Sequence, residues 1–311
     1  MDKYQFNLVS NGRPGPLKDL SLLKNRPFRA SGASFEEDAK CFIPGDQLED
    51  AINTTIAVGE PLLITGEPGT GKTQAAYYVA YKLGIEPVIH FQVKSDSTSS
   101  DLLYHFDSVR YFHDAHLDRE GKPLEKADYV EPRALWEALK SDRPRILLID
   151  EIDKAPRDFP NDLLHELDKM EFVVTETKEK VSATIENRPI VFITSNSERR
   201  LPEPFLRRCV YHRIRFDDDI VWKAVASRKE DYSSLSPEFV KMAVQRFLAL
   251  RELNLRKRPA TGELLVWLRV LAAAVGAYPE QLSDDLSRLP YIGVLLKDHQ
   301  DIEDAASARH P

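Results

Sequence analysis

The segment Gly66-Glu-Pro-Gly-Thr-Gly-Lys-Thr73 decides the fold of this chain. It matches the pattern G-x-x-x-x-G-K-[S/T] at every fixed position, and it lies between a predicted strand at 61–65 and a predicted helix at 72–83. Its glycines allow the backbone to curl so that N–H groups point at phosphate oxygens, and the helix N-terminus adds a partial positive charge. A chance glycine-rich turn is the alternative, and the strand and helix on either side disfavour it.

Every position of this loop is predicted to bind a nucleoside triphosphate. The ammonium of Lys72 is expected to reach the β- and γ-phosphates, and the hydroxyl of Thr73 to ligate magnesium. The predicted phosphate-binding residues are Gly66, Glu67, Pro68, Gly69, Thr70, Gly71, Lys72 and Thr73.

A second signal is the acid pair that ends Ile146-Leu-Leu-Ile-Asp150-Glu151. Four apolar residues predict a buried strand that delivers Asp150 to the carboxyl edge of a sheet, beside the magnesium. Glu151 follows at once and is predicted to polarise the attacking water. A solvated turn is the alternative, but the complete phosphate loop upstream favours the catalytic interpretation.

The rest of the chain alternates strands and helices, which is typical of a parallel sheet covered on both faces. We predict a P-loop NTPase fold of the α/β class, with a three-layer α/β/α core and a parallel five-stranded sheet at 46–216. An irregular N-terminal arm precedes it at 1–45, and an all-helical unit follows at 217–311. Predicted strands are 61–65, 88–93, 145–150, 189–194 and 210–216; a polar insert at 95–132 and a hairpin at 171–186 interrupt the order.

Composition limits the classes of function. The net charge of −7 argues against nucleic-acid binding through overall charge. No apolar run approaches the ~20 residues of a membrane helix, and the first residues lack the apolar stretch of a signal peptide. The two cysteines, Cys41 and Cys209, suggest no disulfide framework or zinc motif. We therefore expect a cytoplasmic protein with reduced thiols, no nucleic-acid partner and no membrane.

Three segments together resemble the AAA+ ATPases: GEPGTGKT, LLIDEIDKAP and FITSN. The resemblance covers roughly residues 42–275 and is greatest to the MoxR-like branch. It implies ATP and Mg²⁺ as ligands, hydrolysis of ATP, a helical lid after the core, and a ring oligomer, expected to be a hexamer. It also implies a protein substrate, of which a von Willebrand factor A domain is one candidate.

The family pattern assigns roles to further residues of this sequence. Asn196 looks like sensor 1, which orients the attacking water; an Asn that caps a loop is the alternative. Arg208, or else Arg207, resembles the arginine finger that reaches a neighbouring subunit's nucleotide, although a solvated basic face is also open.

The lid and adenine contacts are less sharply specified. Arg258 is the choice for sensor 2, yet Gly262 is a rival for the usual position. Phe42 and Ile43 suit an apolar contact with adenine, and they suit an ordinary core equally well.

Two other classes of function remain open at this stage. One is a nucleic-acid motor, which a basic pore or hairpin would favour. The other is a nucleotide-gated scaffold with slow hydrolysis. The pair His113 and His116 is interpreted as a surface pair rather than a metal site, and the aromatic run 104–112 either lines a pore or packs as a helix face.

Overall fold

The structure is a computed structural model that describes residues 35–117, 124–274, 282 and 285–307. The chain divides into two compact units. The sheet unit consists of residues 44–67 and 72–215, and the helical unit consists of the described parts of 1–43 together with 68–71 and 216–311. The predicted arm falls mostly outside the described residues, because these begin at residue 35. Within it, Phe35–Ala39 form a short helix, so the arm is not irregular throughout.

The described part of the sheet unit contains one five-stranded sheet and two small two-stranded sheets. In chain order its strands are β1 (Leu62–Gly66), β2 (Ile89–Gln92), β3 (Tyr104–Phe106), β4 (Val130–Pro132), β5 (Ile146–Asp150), β6 (Glu171–Val173), β7 (Lys180–Ser182), β8 (Ile190–Ser195) and β9 (Val210–Ile214). The large sheet has the order β2-β5-β8-β1-β9, and all four of its pairings are parallel. The predicted fold class, a P-loop α/β core with a parallel five-stranded sheet followed by a helical part, is confirmed.

Burial explains why the central strands read as unbroken apolar runs. Every residue of β1 and of β5 is buried, and β8 is buried from its second residue onward. Strands covered on both faces carry apolar side chains at successive positions. By contrast, β9 is the last strand in the order, and its exposure alternates from residue to residue.

Helices flank this sheet. They are α2 (Asp46–Val58), α3 (Lys72–Leu83), α4 (Ser99–Leu103), α5 (Ser108–Leu117), α6 (Ala134–Leu139), α7 (Phe159–Asp162), α8 (Leu164–Lys169) and α9 (Glu203–Leu206). The first helix, α1 (Phe35–Ala39), belongs to the helical unit. Gly59 ends α2 with a left-handed φ of 72°. Leu163 leaves helical geometry at ψ 0° and separates α7 from α8.

The polar insert and the predicted hairpin have defined structures. In the insert, β3 and β4 pair antiparallel, and Tyr104 of β3 stacks on Phe172 of β6 with ring centroids 6.1 Å apart. The hairpin is confirmed, since β6 and β7 pair antiparallel. Part of the aromatic run therefore packs against the hairpin, while Phe112 on α5 remains 60% exposed. His113 contacts the neighbouring Asp114, which fits the surface interpretation.

The helical unit is built on amphipathic helices with N-terminal caps. Its further helices are α10 (Asp218–Ser227), α11 (Pro237–Glu252), α12 (Thr261–Ala273) and α13 (His299–Ser307). Asp217 caps α10 by accepting two backbone N–H groups, and the hydroxyl of Ser236 caps α11. In the sequence, apolar residues recur at helical spacing at Leu264, Leu268, Leu271 and Val275, and the last of these lies outside the described residues. In the described part of the chain, no helix has the length and apolar character needed to span a bilayer.

The helical unit offers a matched pair of substitutions on α12. Leu268 is fully buried and Val266 is 47% exposed. Leu268→Ala should lower the free energy of unfolding by about 2–5 kcal/mol, because it leaves a cavity in the core. Urea denaturation followed by tryptophan fluorescence measures this loss, since Trp267 lies beside Leu268. Val266→Ala is the control and should change stability by about 0.5 kcal/mol or less. Equal losses for both variants would contradict the described packing.

Candidate functional site

Three strands of the sheet end at one edge, and each ends in a polar or glycine residue. Gly66 closes β1, Asp150 closes β5 and Ser195 closes β8. Because these strands are parallel and adjacent, their carboxyl ends lie at the same edge. In open α/β sheets this edge is where ligands bind. The predicted phosphate loop, acid pair and sensor therefore start from neighbouring positions.

The loop after β1 has the backbone that its glycines predict. Gly69 and Gly71 have φ of 75° and 91°, and Gly66 has φ of 154°. A side chain is strained in this region, so glycine is the residue that fits. Helix α3 begins at Lys72, directly after the loop, and its first N–H groups are free of helical partners. The N-terminus of a helix is in general a place where an anion binds.

Lys72 lies folded over this loop. Its ammonium donates to the carbonyls of Gly66 and Glu67, each at 2.9 Å, and the residue is only 6% exposed. Burial lowers the pKa of Lys72, and the carboxylates of Asp150, Asp153 and Glu151 oppose that effect. An ammonium has three donors, so one remains beyond these two carbonyls for a phosphate oxygen.

Asp150 is a buried carboxylate that three elements hold in place. Thr73 of α3 donates to it at 3.0 and 3.2 Å, Thr194 of β8 at 2.5 Å, and Nε2 of His90 on β2 lies 3.3 Å away. Burial raises the pKa of Asp150, but the hydrogen bonds from His90, Thr194 and Thr73 outweigh it, so the net pKa is lowered. The carboxylate therefore stays ionised at neutral pH.

Thr73 and Asp150 together fit a magnesium ion. Both offer oxygen atoms, the ligands that this hard cation prefers, and the two side chains already touch. Thr73 lies in the first turn of α3, and Asp150 is the last residue of β5.

Glu151 adopts an uncommon backbone conformation beside this pair. Its φ of 61° and ψ of 49° are left-handed, which costs a residue with a side chain roughly 1–2 kcal/mol. Its N–H donates to the hydroxyl of Thr194 at 2.8 Å. This hydrogen bond offsets part of the backbone strain.

Three side chains hold the Glu151 carboxylate. Gln92 donates to Oε2 at 2.6 Å, Lys154 donates to the same oxygen at 2.5 Å, and Asn196 donates to Oε1 at 3.2 Å. The Glu151 side chain is 27% exposed, so water reaches it. The predicted acid and the predicted sensor are thus in direct contact within this unit.

The two candidate finger residues lie elsewhere in the sheet unit. Arg207 and Arg208 follow α9 and are exposed, and Arg208 donates to the carbonyl of Pro204 at 3.1 Å. Arg208 lines a small cavity with Pro61, just before β1, whereas the phosphate loop follows β1. The five residues of β1 separate these ends by about 16 Å, at roughly 3.3 Å per residue. Arg208 therefore does not reach the acids of its own chain.

Phe42 lies against the loop residues that belong to the helical unit. A Cβ atom on Gly71 would stand 2.6 Å from Cε2 of Phe42, so no larger residue fits at Gly71 without displacing this ring. Ile43 next to it is half-buried. Whether either contacts adenine stays a prediction.

The first turn of α12, rather than Arg258, contacts the loop in this unit. The N–H of Gly262 donates to the carbonyl of Gly69 at 3.4 Å, and Glu263 closes the start of the helix by accepting the N–H of Ala260. Arg258 is exposed and precedes α12 by three residues. The sensor 2 assignment of Arg258 therefore stays a prediction, and its rival Gly262 is the residue at the loop.

Sequence reasoning missed several residues that organise this site: His90, Gln92, Asp153, Lys154 and Thr194. Asp153 is 2% exposed and accepts the backbone N–H groups of Asn196 and Glu198, so it fixes the turn after β8. For His90 and Gln92 there was a usable signal, since polar residues at alternate positions of a strand place two side chains on one face.

Comparison with known proteins agrees with this geometry. Residues 61–209 match the family model described as "AAA domain (dynein-related subfamily)". No curated protein sequence matches the chain. Among solved structures, the chain is similar to a "putative ATPase" from Cytophaga hutchinsonii, with 14% identity, 88% of this chain and 83% of that chain covered, and a TM-score of 0.41. The family match supports an AAA domain over residues 61–209.

Thr194 offers a test of the described site geometry. Thr194→Val should destabilise the sheet unit, because the buried Asp150 carboxylate loses a donor and the Glu151 N–H loses its acceptor. Each unsatisfied group costs about 1–3 kcal/mol. Thr194→Ser keeps the hydroxyl and loses one methyl group, worth about 0.8 kcal/mol. Urea denaturation followed by far-UV circular dichroism compares them. If the serine variant is as destabilised as the valine variant, the hydroxyl does not hold these groups.

Proposed function

We propose that this protein is a magnesium-dependent ATPase of the AAA+ type. The observation that carries the proposal is the contact of Glu151 with Asn196 beside the Thr73–Asp150 pair, at the edge where the phosphate loop begins. A phosphate loop alone indicates binding. An acid that is held by hydrogen bonds and reached by water adds the means of hydrolysis.

The proposed reaction is attack of water on the γ-phosphorus. The water oxygen forms a bond to the γ-phosphorus, and Glu151 accepts a proton from that water. The bond between the γ-phosphorus and the β–γ bridging oxygen breaks at the same time, which gives ADP and inorganic phosphate. Lys72 donates to oxygens of the β- and γ-phosphates. Asn196 fixes the orientation of Glu151 and of the attacking water. Thr73 and Asp150 would hold magnesium, which neutralises charge on the phosphate oxygens when it is bound.

A ring oligomer is part of the proposal. Arg208 is exposed and about 16 Å of strand away from its own phosphate loop, from roughly 3.3 Å per residue of β1. An arginine in this place serves catalysis only if it reaches the nucleotide of a neighbouring copy. We therefore assign Arg208 as the finger, with Arg207 as the alternate, and expect a hexamer.

The finer assignments rest on the resemblance of the motifs. By that resemblance we assign the protein to the MoxR-like branch, with ATP rather than GTP as its nucleotide. By its composition we assign it to the cytoplasm. The work that hydrolysis drives is remodelling of a protein partner, with a von Willebrand factor A domain as a candidate. The hairpin offers little for a nucleic-acid motor, because Lys180 pairs with Glu171 and Glu179 pairs with Lys140.

Hydrolysis and binding are separable by substitution. Glu151→Gln should bind ATP as tightly as the wild type and lower kcat by about 10²- to 10⁴-fold, the usual loss of a general base. Lys72→Ala should lose ATP binding as well. Phosphate release and fluorescence titration of a labelled ATP measure the two properties. Lys82→Ala, on the last turn of the same helix, is the control and should behave like the wild type. Undiminished turnover by Glu151→Gln would exclude this mechanism.

The finger assignment predicts complementation between two inactive variants. Arg208→Ala should lower kcat by about 10³-fold or more. Mixing it with Glu151→Gln should restore turnover, because each variant supplies the group the other lacks. The control is Arg200→Ala, an 84% exposed arginine paired with Glu203. Wild-type specific activity should also rise with protein concentration. Activity that stays constant with concentration, and no rescue on mixing, would argue for a monomer.

A further inference from the structure

The strand β2 presents two polar side chains to the acids that end β5. His90 and Gln92 are two residues apart, so they lie on one face of the strand. β2 and β5 are adjacent and parallel, with Gln92 opposite Asp150 in the register. Gln92 contacts Glu151, and His90 contacts Asp150. The contact between His90 and Asp150 has no role in the reaction proposed above.

A directed chain of hydrogen bonds runs from α3 through β2 to β5. The hydroxyl of Tyr77 lies 3.0 Å from Nδ1 of His90, and Nε2 of the same ring lies 3.3 Å from Oδ2 of Asp150. An ionised carboxylate can only accept, so Nε2 carries the proton. The hydroxyl of Tyr77 is the hydrogen-bond partner of Nδ1. The two ring nitrogens thus contact different partners, Tyr77 and Asp150.

Tyr77 is the first residue in this series of hydrogen bonds, and its surroundings hold its side chain in place. It is 6% exposed on α3, and its ring meets that of His90 edge to face, with centroids 6.1 Å apart. Helix α3 also supplies Thr73, which contacts Asp150 from a second direction. Two side chains one turn apart on one helix therefore fix the same carboxylate, one directly and one through His90.

We propose that His90, oriented by Tyr77, is a positioning residue that holds the Asp150 carboxylate for a metal–nucleotide complex. The inference rests on the proposed function, since Asp150 is the proposed metal ligand. Thr194 occupies Oδ1, and His90 occupies Oδ2. Together they prevent rotation of the carboxylate, so that its orientation is set before the metal arrives. Partners that orient a ligand in this way typically contribute 10- to 100-fold in metal affinity.

The test measures metal binding apart from hydrolysis. Mn²⁺ is titrated into the protein with ADP and followed by electron paramagnetic resonance, and ADP binding is measured separately with EDTA present. His90→Phe should weaken Mn²⁺ binding by about 10- to 100-fold and leave metal-free ADP binding unchanged. His90→Gln, whose amide can still donate to Asp150, should recover most of the loss. Tyr77→Phe removes one oxygen and should weaken Mn²⁺ in the same direction by less.

The controls separate this inference from its alternatives. His113→Gln changes an exposed histidine on α5 and should bind Mn²⁺ like the wild type. Unchanged Mn²⁺ affinity in His90→Phe overturns the inference and leaves the ATPase proposal standing. Equal loss of metal-free ADP binding also overturns it, because the role is then structural. If His90→Phe does not fold, Tyr77→Phe decides by the same criterion. A wild type that binds no Mn²⁺ with ADP overturns the proposed function itself.

Discussion

The buried carboxylate of Asp150 is the group on which the described site depends. It is 6% exposed and accepts hydrogen bonds from Thr73 and Thr194, with His90 as a third donor. These donors come from α3, β8 and β2, so one side chain links the helix after the phosphate loop to the strands on both sides of β5. A buried charge is tolerated only when it is paired or hydrogen-bonded, and removing a single partner is costly. Structure and proposed chemistry therefore depend on the same contacts.

The neighbouring acid is constrained in a different way. Glu151 is partly exposed, and it is held by its left-handed backbone and by the side chains of Gln92, Lys154 and Asn196. Left-handed geometry in a residue with a side chain persists only where its surroundings impose it, and such residues concentrate at functional sites. Successive residues of one chain thus have separate environments: Asp150 is enclosed and held by three donors, and Glu151 faces water. This difference is what two acids need if one is to bind a cation and the other is to accept a proton.

Much of this arrangement could be predicted from local sequence, and the rest could not, for a physical reason. The phosphate loop, Asp150, Glu151 and the five core strands follow from short-range patterns of glycine, apolar runs and acids. The contacts of His90 and Thr194 depend on the strand order β2-β5-β8, which is set by pairings between distant segments. Arg258 illustrates the same limit, because the register of the turn before α12 decides which residue lies at the loop. Local patterns identify the groups, and long-range pairing decides which of them meet.

The most direct test of the account is a crystal structure of the protein with Mg²⁺ and a non-hydrolysable ATP analogue. The account predicts phosphates along residues 66–73 and magnesium about 2.1 Å from the Thr73 hydroxyl oxygen, with Asp150 as its other protein contact, directly or through water. It also predicts an ordered water between Glu151 and the γ-phosphate. A nucleotide bound elsewhere, or a metal held without Thr73 and Asp150, would contradict the central claim that this sheet edge is built to bind and hydrolyse ATP.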